Sequence, residues 1–196
     1  MSKKWNYAAV AAVFFLLGML FSPSAPLVRS VRSKFRYTRG VAQRLFHKWD
    51  KESLVFAADG KTFESFEREN EQFILYFWAT WCPYCRDCTD IMQSVSTSAK
   101  IPFAALSFDD DKAKFAEYQA ENTLYWNNIV QKSADGWDFV KREGAYNIPL
   151  IPSVWLVEKG KVKRIFVGSE QIKTLGDYLM NENLMTAGAE PIFDEE

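Results

Sequence analysis

Cys82 and Cys85 stand two residues apart in Trp81-Cys82-Pro83-Tyr84-Cys85, directly after the apolar run Phe73-Ile74-Leu75-Tyr76-Phe77-Trp78. Two thiols at that spacing suit disulfide exchange, or one half of a zinc site. Zinc takes four ligands, normally from a second pair, and only Cys88 and the single histidine, His47, remain as candidates. His47 lies in a separate basic segment, so no metal is expected. No histidine stands near the pair for a Cys-His hydrolase either. An ordinary thiol has a pKa of about 8.5, and the N-terminus of a helix lowers it. Cys82 would meet such a terminus first and is the expected attacking nucleophile. Cys85, one turn on and more buried, is the expected resolving thiol. Run backwards, the same steps oxidise a dithiol.

Those side chains need a strand to deliver them and a helix to receive them. Phe73–Trp78 is a continuous apolar run, as a strand covered on both faces should be. A helix is expected from Pro83 or Tyr84 to about Ser98. Ahead of them, Leu54–Ala58 reads as a short strand ending at Asp59-Gly60-Lys61, and Thr62 as the cap of a helix through Arg68. After them come a buried strand, Ile101–Phe108, and a helix capped by Asp109–Asp111 that runs to about Glu121. Residues 122–133 give no clear pattern, and Ala134–Gly144 reads as helical. Ser153–Val157 and Val162–Val167 form a hairpin around Glu158-Lys159-Gly160-Lys161. Ser169–Met180 closes the domain as a helix, and the acidic tail from Thr186 to Glu196 is expected to be loose.

Charge divides the chain. Residues 1–49 carry nine Lys and Arg and no acidic residue, whereas 50–196 carries a net charge of −10. Tyr7–Phe21 is uncharged and mostly apolar, with Lys3 and Lys4 before it. It reads as a signal-anchor or as the apolar part of a cleaved signal, with Ser22-Pro23-Ser24 at a possible cleavage site. Val28, Val31, Phe35, Ala42, Leu45 and Trp49 then recur at helical spacing among basic residues. They describe a basic amphipathic segment that lies on anionic lipid, packs against the domain or is a solvated linker. No nucleic-acid-binding pattern accompanies the charge. The expected organisation is a signal-anchor or transmembrane segment at 1–26, a basic linker at 27–49, a folded domain at 50–185 and a flexible tail at 186–196.

The order β-α-β-α-β-α-β-β-α, with Cys-x-x-Cys after the second strand, resembles the thioredoxin fold, an α/β architecture with a central mixed sheet flanked by helices. Phe77-Trp78-Ala79-Thr80-Trp81-Cys82-Pro83-Tyr84-Cys85-Arg86 is similar to that family's active-site signature. Tyr146-Asn147-Ile148-Pro149-Leu150-Ile151-Pro152-Ser153 is similar to its cis-proline segment. The early strand, Asp59-Gly60-Lys61 and the long insert before Pro152 resemble its membrane-anchored, extracytoplasmic TlpA/ResA-type branch. The resemblance implies a protein thiol-disulfide oxidoreductase whose only redox group is the Cys82–Cys85 pair, with no cofactor. It implies that Pro83 and Tyr84 tune the pair. It also implies that a cis Pro152 packs against the cysteines while Ile151 offers backbone hydrogen bonds to an extended substrate. Trp81 and Tyr84 read as a substrate-facing aromatic rim, or Trp81 as packing beside the strand end.

The implied partners are protein dithiols or disulfides and a membrane electron donor or acceptor. The implied location is the bacterial inner membrane, with the domain on the periplasmic side. The excess of basic residues after the apolar run points the other way, to a domain facing the cytoplasm. A reductant or isomerase is favoured; an oxidant of the same fold and a non-catalytic binding module are the alternatives. Two departures stand out. Tyr76 occupies the position where cytosolic thioredoxins carry a buried Asp, which leaves the proton-handling group unassigned. Cys88 adds a third thiol, either a small core residue or a competitor for resolution.

Overall fold

The computed structural model describes residues 37–186. The apolar run Tyr7–Phe21, the first part of the basic arm and nearly all of the acidic tail lie outside the described residues. Within them, α1 (Arg39–His47), β1 (Leu54–Phe56), α2 (Phe63–Glu69), β2 (Gln72–Trp78), α3 (Pro83–Arg86) and α4 (Thr89–Ser98) come first. They are followed by β3 (Phe103–Ser107), α5 (Lys112–Glu121), β4 (Asn128–Ser133) and β5 (Gly136–Asp138). The last elements are β6 (Ser153–Glu158), β7 (Lys161–Val167), α6 (Ser169–Ile172) and α7 (Leu175–Asn181), with a 3-10 turn at Gly144–Tyr146 before β6.

The strands form one mixed sheet in the order β1-β4-β3-β2-β6-β7, with β5 paired to β4 outside that path. The β2–β3 and β3–β4 pairs are parallel, and the β2–β6 and β6–β7 pairs are antiparallel. β2 therefore sits at the centre. Its last six residues are buried, which accounts for an apolar run without alternation. The Lys159-Gly160 turn between β6 and β7 has φ of 48° and 69°, a left-handed pair that matches the twist of a two-residue hairpin.

Alternation along β2 divides the aromatic core in two. Phe77 points to the side of α1 and α2, where its ring lies 4.5 Å from Trp155 and 5.9 Å from Trp49. Tyr76 and Trp78 point to the opposite side, where Trp78 meets Phe115 and Tyr118 of α5, each at 5.9 Å. The Trp78 indole N–H donates to Asn128 Oδ1 at 3.0 Å inside the core. That bond satisfies a polar atom that burial would otherwise leave costly.

Four elements differ from the sequence reading. Of the alternatives for the amphipathic segment, 39–49 takes the one that packs on the domain, so the linker bound at 49 moves: Ala42 and Phe46 are fully buried and Trp49 is 6% exposed. Gln43 accepts from the Val162 N–H at 2.6 Å and donates to the Gly160 carbonyl at 3.3 Å. Those are groups at the start of β7, which lies at the edge of the sheet and would otherwise be open to another chain. The folded unit thus begins near Thr38, not at residue 50.

Ala134–Gly144 is not a helix. β4 and β5 form a hairpin in which Ser133 faces Gly136, and Gly136 takes a φ of 117° that a helix could not use. The two long helices are each interrupted. Thr89 Oγ1 donates to the Cys85 carbonyl at 3.4 Å, and the Cys88 N–H closes a tight turn on the same carbonyl at 3.1 Å. That splits the expected 83–98 helix into α3 and α4. Thr174 does likewise at Gln171, with N–H and Oγ1 donating to one carbonyl at 3.1 and 2.8 Å, and so separates α6 from α7.

Candidate active site

β2 ends at Trp78, and Ala79-Thr80-Trp81 carries the chain over the sheet edge to Cys82. Asp109, just past the end of the neighbouring β3, fixes that crossing. Its carboxylate accepts from the Thr80 N–H at 3.1 Å and from Thr80 Oγ1 at 2.6 Å, and also from Ser107 Oγ. The carboxylate is 6% exposed, and its donors take the place of water. The sequence reading gave Asp109 a share in capping the next helix. That role belongs to Asp111, which accepts from the N–H groups of Ala113 and Lys114.

Cys82 is the N-cap of α3 and Pro83 its first residue, where a missing N–H costs nothing. Cys82 Sγ accepts from the Cys85 N–H at 3.3 Å and lies 3.9 Å from the Ile151 carbonyl oxygen, toward which its S–H points. All three cysteines are free thiols. Cys82 is 4% exposed, whereas Cys85 and Cys88 are 0% exposed.

The three thiols are electrostatically unlike. Cys82 is lowered to about 7, first by its hydrogen bond with the Cys85 thiol and further by the N–H groups of Cys85 and Tyr84, against an opposing effect of burial. Cys85 is pushed far above the thiol range by burial, by the same hydrogen bond and by the negative charge Cys82 acquires. Cys88 is raised to about 11 by burial and by the nearby charge of Asp87. Near pH 7 the pair therefore holds one ready nucleophile beside one masked thiol. Because α3 lasts a single turn, the lowering comes from adjacent N–H groups and the partner thiol rather than from a long helix dipole.

The Ile151–Pro152 peptide bond is cis, in line with the expectation for Pro152. Pro152 is buried, and half-buried Ile151 presents its carbonyl to Cys82. Trp81 is 53% exposed and Tyr84 63% exposed, flanking the nucleophile. The Trp81 indole N–H donates to the Phe108 carbonyl at 3.3 Å, so the ring is both held and displayed. Leu150, 53% exposed beside the Ile151-Pro152 segment, adds an apolar side chain that the sequence reading missed. Its signal was its position two residues before Pro152.

The structure brings Cys82, Cys85, Ile151 and Pro152 together from segments about seventy residues apart. His47 sits on α1, exposed, 3.0 Å from the Gln43 amide nitrogen. Among the described residues, no group of three or more His, Cys, Asp or Glu side chains is placed to hold a metal ion.

Comparison with known proteins agrees with this architecture. The Thioredoxin family model matches residues 54–135, which include Cys82 and Cys85. A thioredoxin-like protein of Haemophilus influenzae is 26% identical over 111 residues, covering 56% of this chain and 62% of that protein. The soluble secreted antigen MPT53 of Mycobacterium tuberculosis is 24% identical over 106 residues, covering 52% of this chain and 58% of the antigen. The chain thus matches about three fifths of these curated relatives' length. Among solved structures, a thio-disulfide isomerase from Thermus thermophilus superposes with a TM-score of 0.50 at 20% identity, covering 68% of this chain and 92% of that one. With the sheet order and the cysteine pair at the end of β2, this makes the domain a thioredoxin fold.

Proposed function

We propose that this protein is a membrane-tethered thiol-disulfide oxidoreductase acting on protein substrates outside the cytoplasm, as a reductant or isomerase. One observation carries the chemistry: a thiol lowered to about 7 at Cys82, held between the Cys85 N–H and the Ile151 carbonyl, beside a thiol at Cys85 that stays protonated. The Cys82 thiolate attacks a substrate disulfide, and one substrate sulfur leaves with the bonding electrons. The resulting mixed disulfide removes the charge from Cys82. That relieves the charge and hydrogen bond that oppose ionisation of Cys85. Cys85 then attacks Cys82 Sγ, releases the second substrate sulfur and closes the Cys82–Cys85 disulfide.

Trp81, Tyr84 and Leu150 supply an apolar surface around the nucleophile, and the Ile151-Pro152 backbone supplies polar contacts to an extended chain. Membrane tethering rests on Lys3, Lys4 and the apolar run Tyr7–Phe21. Export is supported by the printed name of the mycobacterial relative, a secreted antigen. A membrane electron donor would keep the pair reduced.

Insulin reduction by the protein, with Cys82→Ser as the control, tests the activity. Turnover that exceeds the control supports it, and equality with the control leaves a binding module instead. The Cys82–Cys85 reduction potential tests the direction. A value near about −270 mV marks a reductant and one near about −120 mV an oxidant. A thiol label that cannot cross the membrane tests the location: Cys82 of intact cells, kept reduced, reacts if the domain faces outward.

A further inference from the structure

Two stretches must meet for the site to exist: the crossing from Trp78 to Cys82, and the segment that ends at Ile151-Pro152. The crossing rests on Phe108. Its N–H donates to the Trp78 carbonyl at 2.9 Å, and its own carbonyl accepts from the Trp81 indole at 3.3 Å. The Phe108 ring is 6% exposed and stacked on Phe77 at 6.3 Å. The second segment is pinned at its far end, where the Gly168 N–H donates to the Pro152 carbonyl at 2.9 Å. Its near end is pinned by a side chain that arrives from the insert before it.

That side chain is Arg142. Its Nε donates to the Ile148 carbonyl at 2.8 Å, and its Nη2 donates to the same oxygen. Ile148 is fully buried, so its carbonyl needs a donor in place of water. The guanidinium carbon also lies 5.7 Å from the centre of the Phe108 ring, within the range of a cation–π contact. One group therefore touches both halves of the site: the start of the segment that leads to Ile151, and the residue that holds Trp81. A guanidinium suits both contacts, because its N–H groups form a fixed fork and its charge is weakly hydrated. Between the two pins, Pro149 and Leu150 are exposed, and half-buried Ile151 turns its carbonyl toward Cys82.

We propose that Arg142 is a positioning residue for the substrate: it clamps residues 148–152 to the cysteine crossing and so fixes the backbone on which an extended substrate chain docks. The inference rests on the oxidoreductase reading of the same site. The clamp acts through the backbone and not through the thiols. The groups that lower Cys82 belong to its own helical turn, at Cys85 and Tyr84. Without the clamp, the segment must be ordered at the moment of binding, and that ordering is subtracted from affinity. A polypeptide substrate should feel the loss, whereas a small reagent that meets only Cys82 should not.

Arg142→Met keeps an unbranched stem and removes the donors and the charge. Arg142 is exposed, so the variant leaves the core filled. The measurements are kcat and KM for insulin reduction, the rate of Cys82 alkylation by iodoacetamide, and hydrogen exchange of the Ile148 N–H, which is bonded to the Tyr146 carbonyl at 2.8 Å. The expected result is a KM for insulin raised roughly 10-fold with little change in kcat, the effect of one hydrogen bond from a charged group. Alkylation keeps the parent rate. Exchange at Ile148 quickens by roughly the same factor while the amides of β2 keep theirs. A KM equal to that of the parent overturns the proposal. So does equal loss toward insulin and iodoacetamide, or faster exchange throughout β2, either of which marks a general loss of structure. A raised KM with unaltered exchange at Ile148 also overturns it, because Arg142 would then be touching the substrate itself. Insulin reduction by the parent no faster than by Cys82→Ser would instead sink the oxidoreductase reading on which the inference rests.

Discussion

At the scale of single residues, the site works by making two thiols of one kind behave differently. Cys82 has N–H groups and a partner thiol to share its charge; Cys85 has burial and the charge of Cys82 against it. Alkylation of the reduced protein by iodoacetamide should accordingly modify Cys82 alone, with a rate that titrates at a midpoint near 7. A midpoint at the ordinary thiol value would contradict the assigned hydrogen bonds. Cys88 is fully buried and raised to about 11, so near neutral pH it stays a thiol. Cys88→Ala should leave insulin turnover and mixed-disulfide lifetime unchanged. A new disulfide pattern in mass spectra of the parent protein, lost in the variant, would show otherwise. The cysteine spacing was readable from sequence. The carboxylate of Asp109 under Thr80 was not, because its partners lie 29 residues away.

At the scale of elements, α1 is the piece whose place a residue-by-residue reading leaves open. Its sequence allows a linker, a lipid-facing surface or a face packed on the domain, and its apolar side enters the core beside Phe63, Phe77 and Trp155. Trp49→Ala should destabilise the domain by about 3–5 kcal/mol in urea unfolding, the usual cost of emptying a large aromatic site. Gln43→Ala should cost about 1 kcal/mol, because it leaves two backbone groups of the β6–β7 hairpin without their side-chain partner. A chain that starts at Asp50 should unfold at distinctly lower urea and associate through the bared start of β7. If it matches the parent in both, α1 is an appendage. The interruptions of the two long helices share one cause. A threonine hydroxyl takes the carbonyl that the next backbone N–H would have used, and apolar periodicity is blind to that competition.

At the scale of the whole molecule, the thiol asymmetry links redox state to stability. The folded value of Cys82 lies below the unfolded one, so its contribution is lost as pH falls through about 7 and is complete above the ordinary thiol value of about 8.5. Cys85 and Cys88 are raised, so above about 8.5 the unfolded chain ionises first and stability declines. The stability of the reduced protein relative to the oxidised one should rise between pH 6.5 and 8.5 and then fall. Urea midpoints of both forms across that range check it. A flat difference would mean that Cys82 is not an unusual thiol.

By itself the sequence determined the parts that depend on neighbours in the chain. Strand β2 is continuously apolar, Cys82 must precede a helix because Pro83 can open one, and Lys159-Gly160 must turn. Thr62 must cap, and so must one of Asp109–Asp111. The resemblance of two separate motifs then pointed to their meeting. Only the tertiary structure decided what depends on residues far apart. Gln43 covers the start of β7, and Trp49 joins a core that begins with Phe63. Gly136 turns a hairpin where periodicity suggested a helix. The Ile151 carbonyl faces Cys82 across 69 residues. The physical reason is the same in each case. Local propensity acts over a few residues, whereas thiol ionisation and burial are set by whatever the fold brings within a few ångströms.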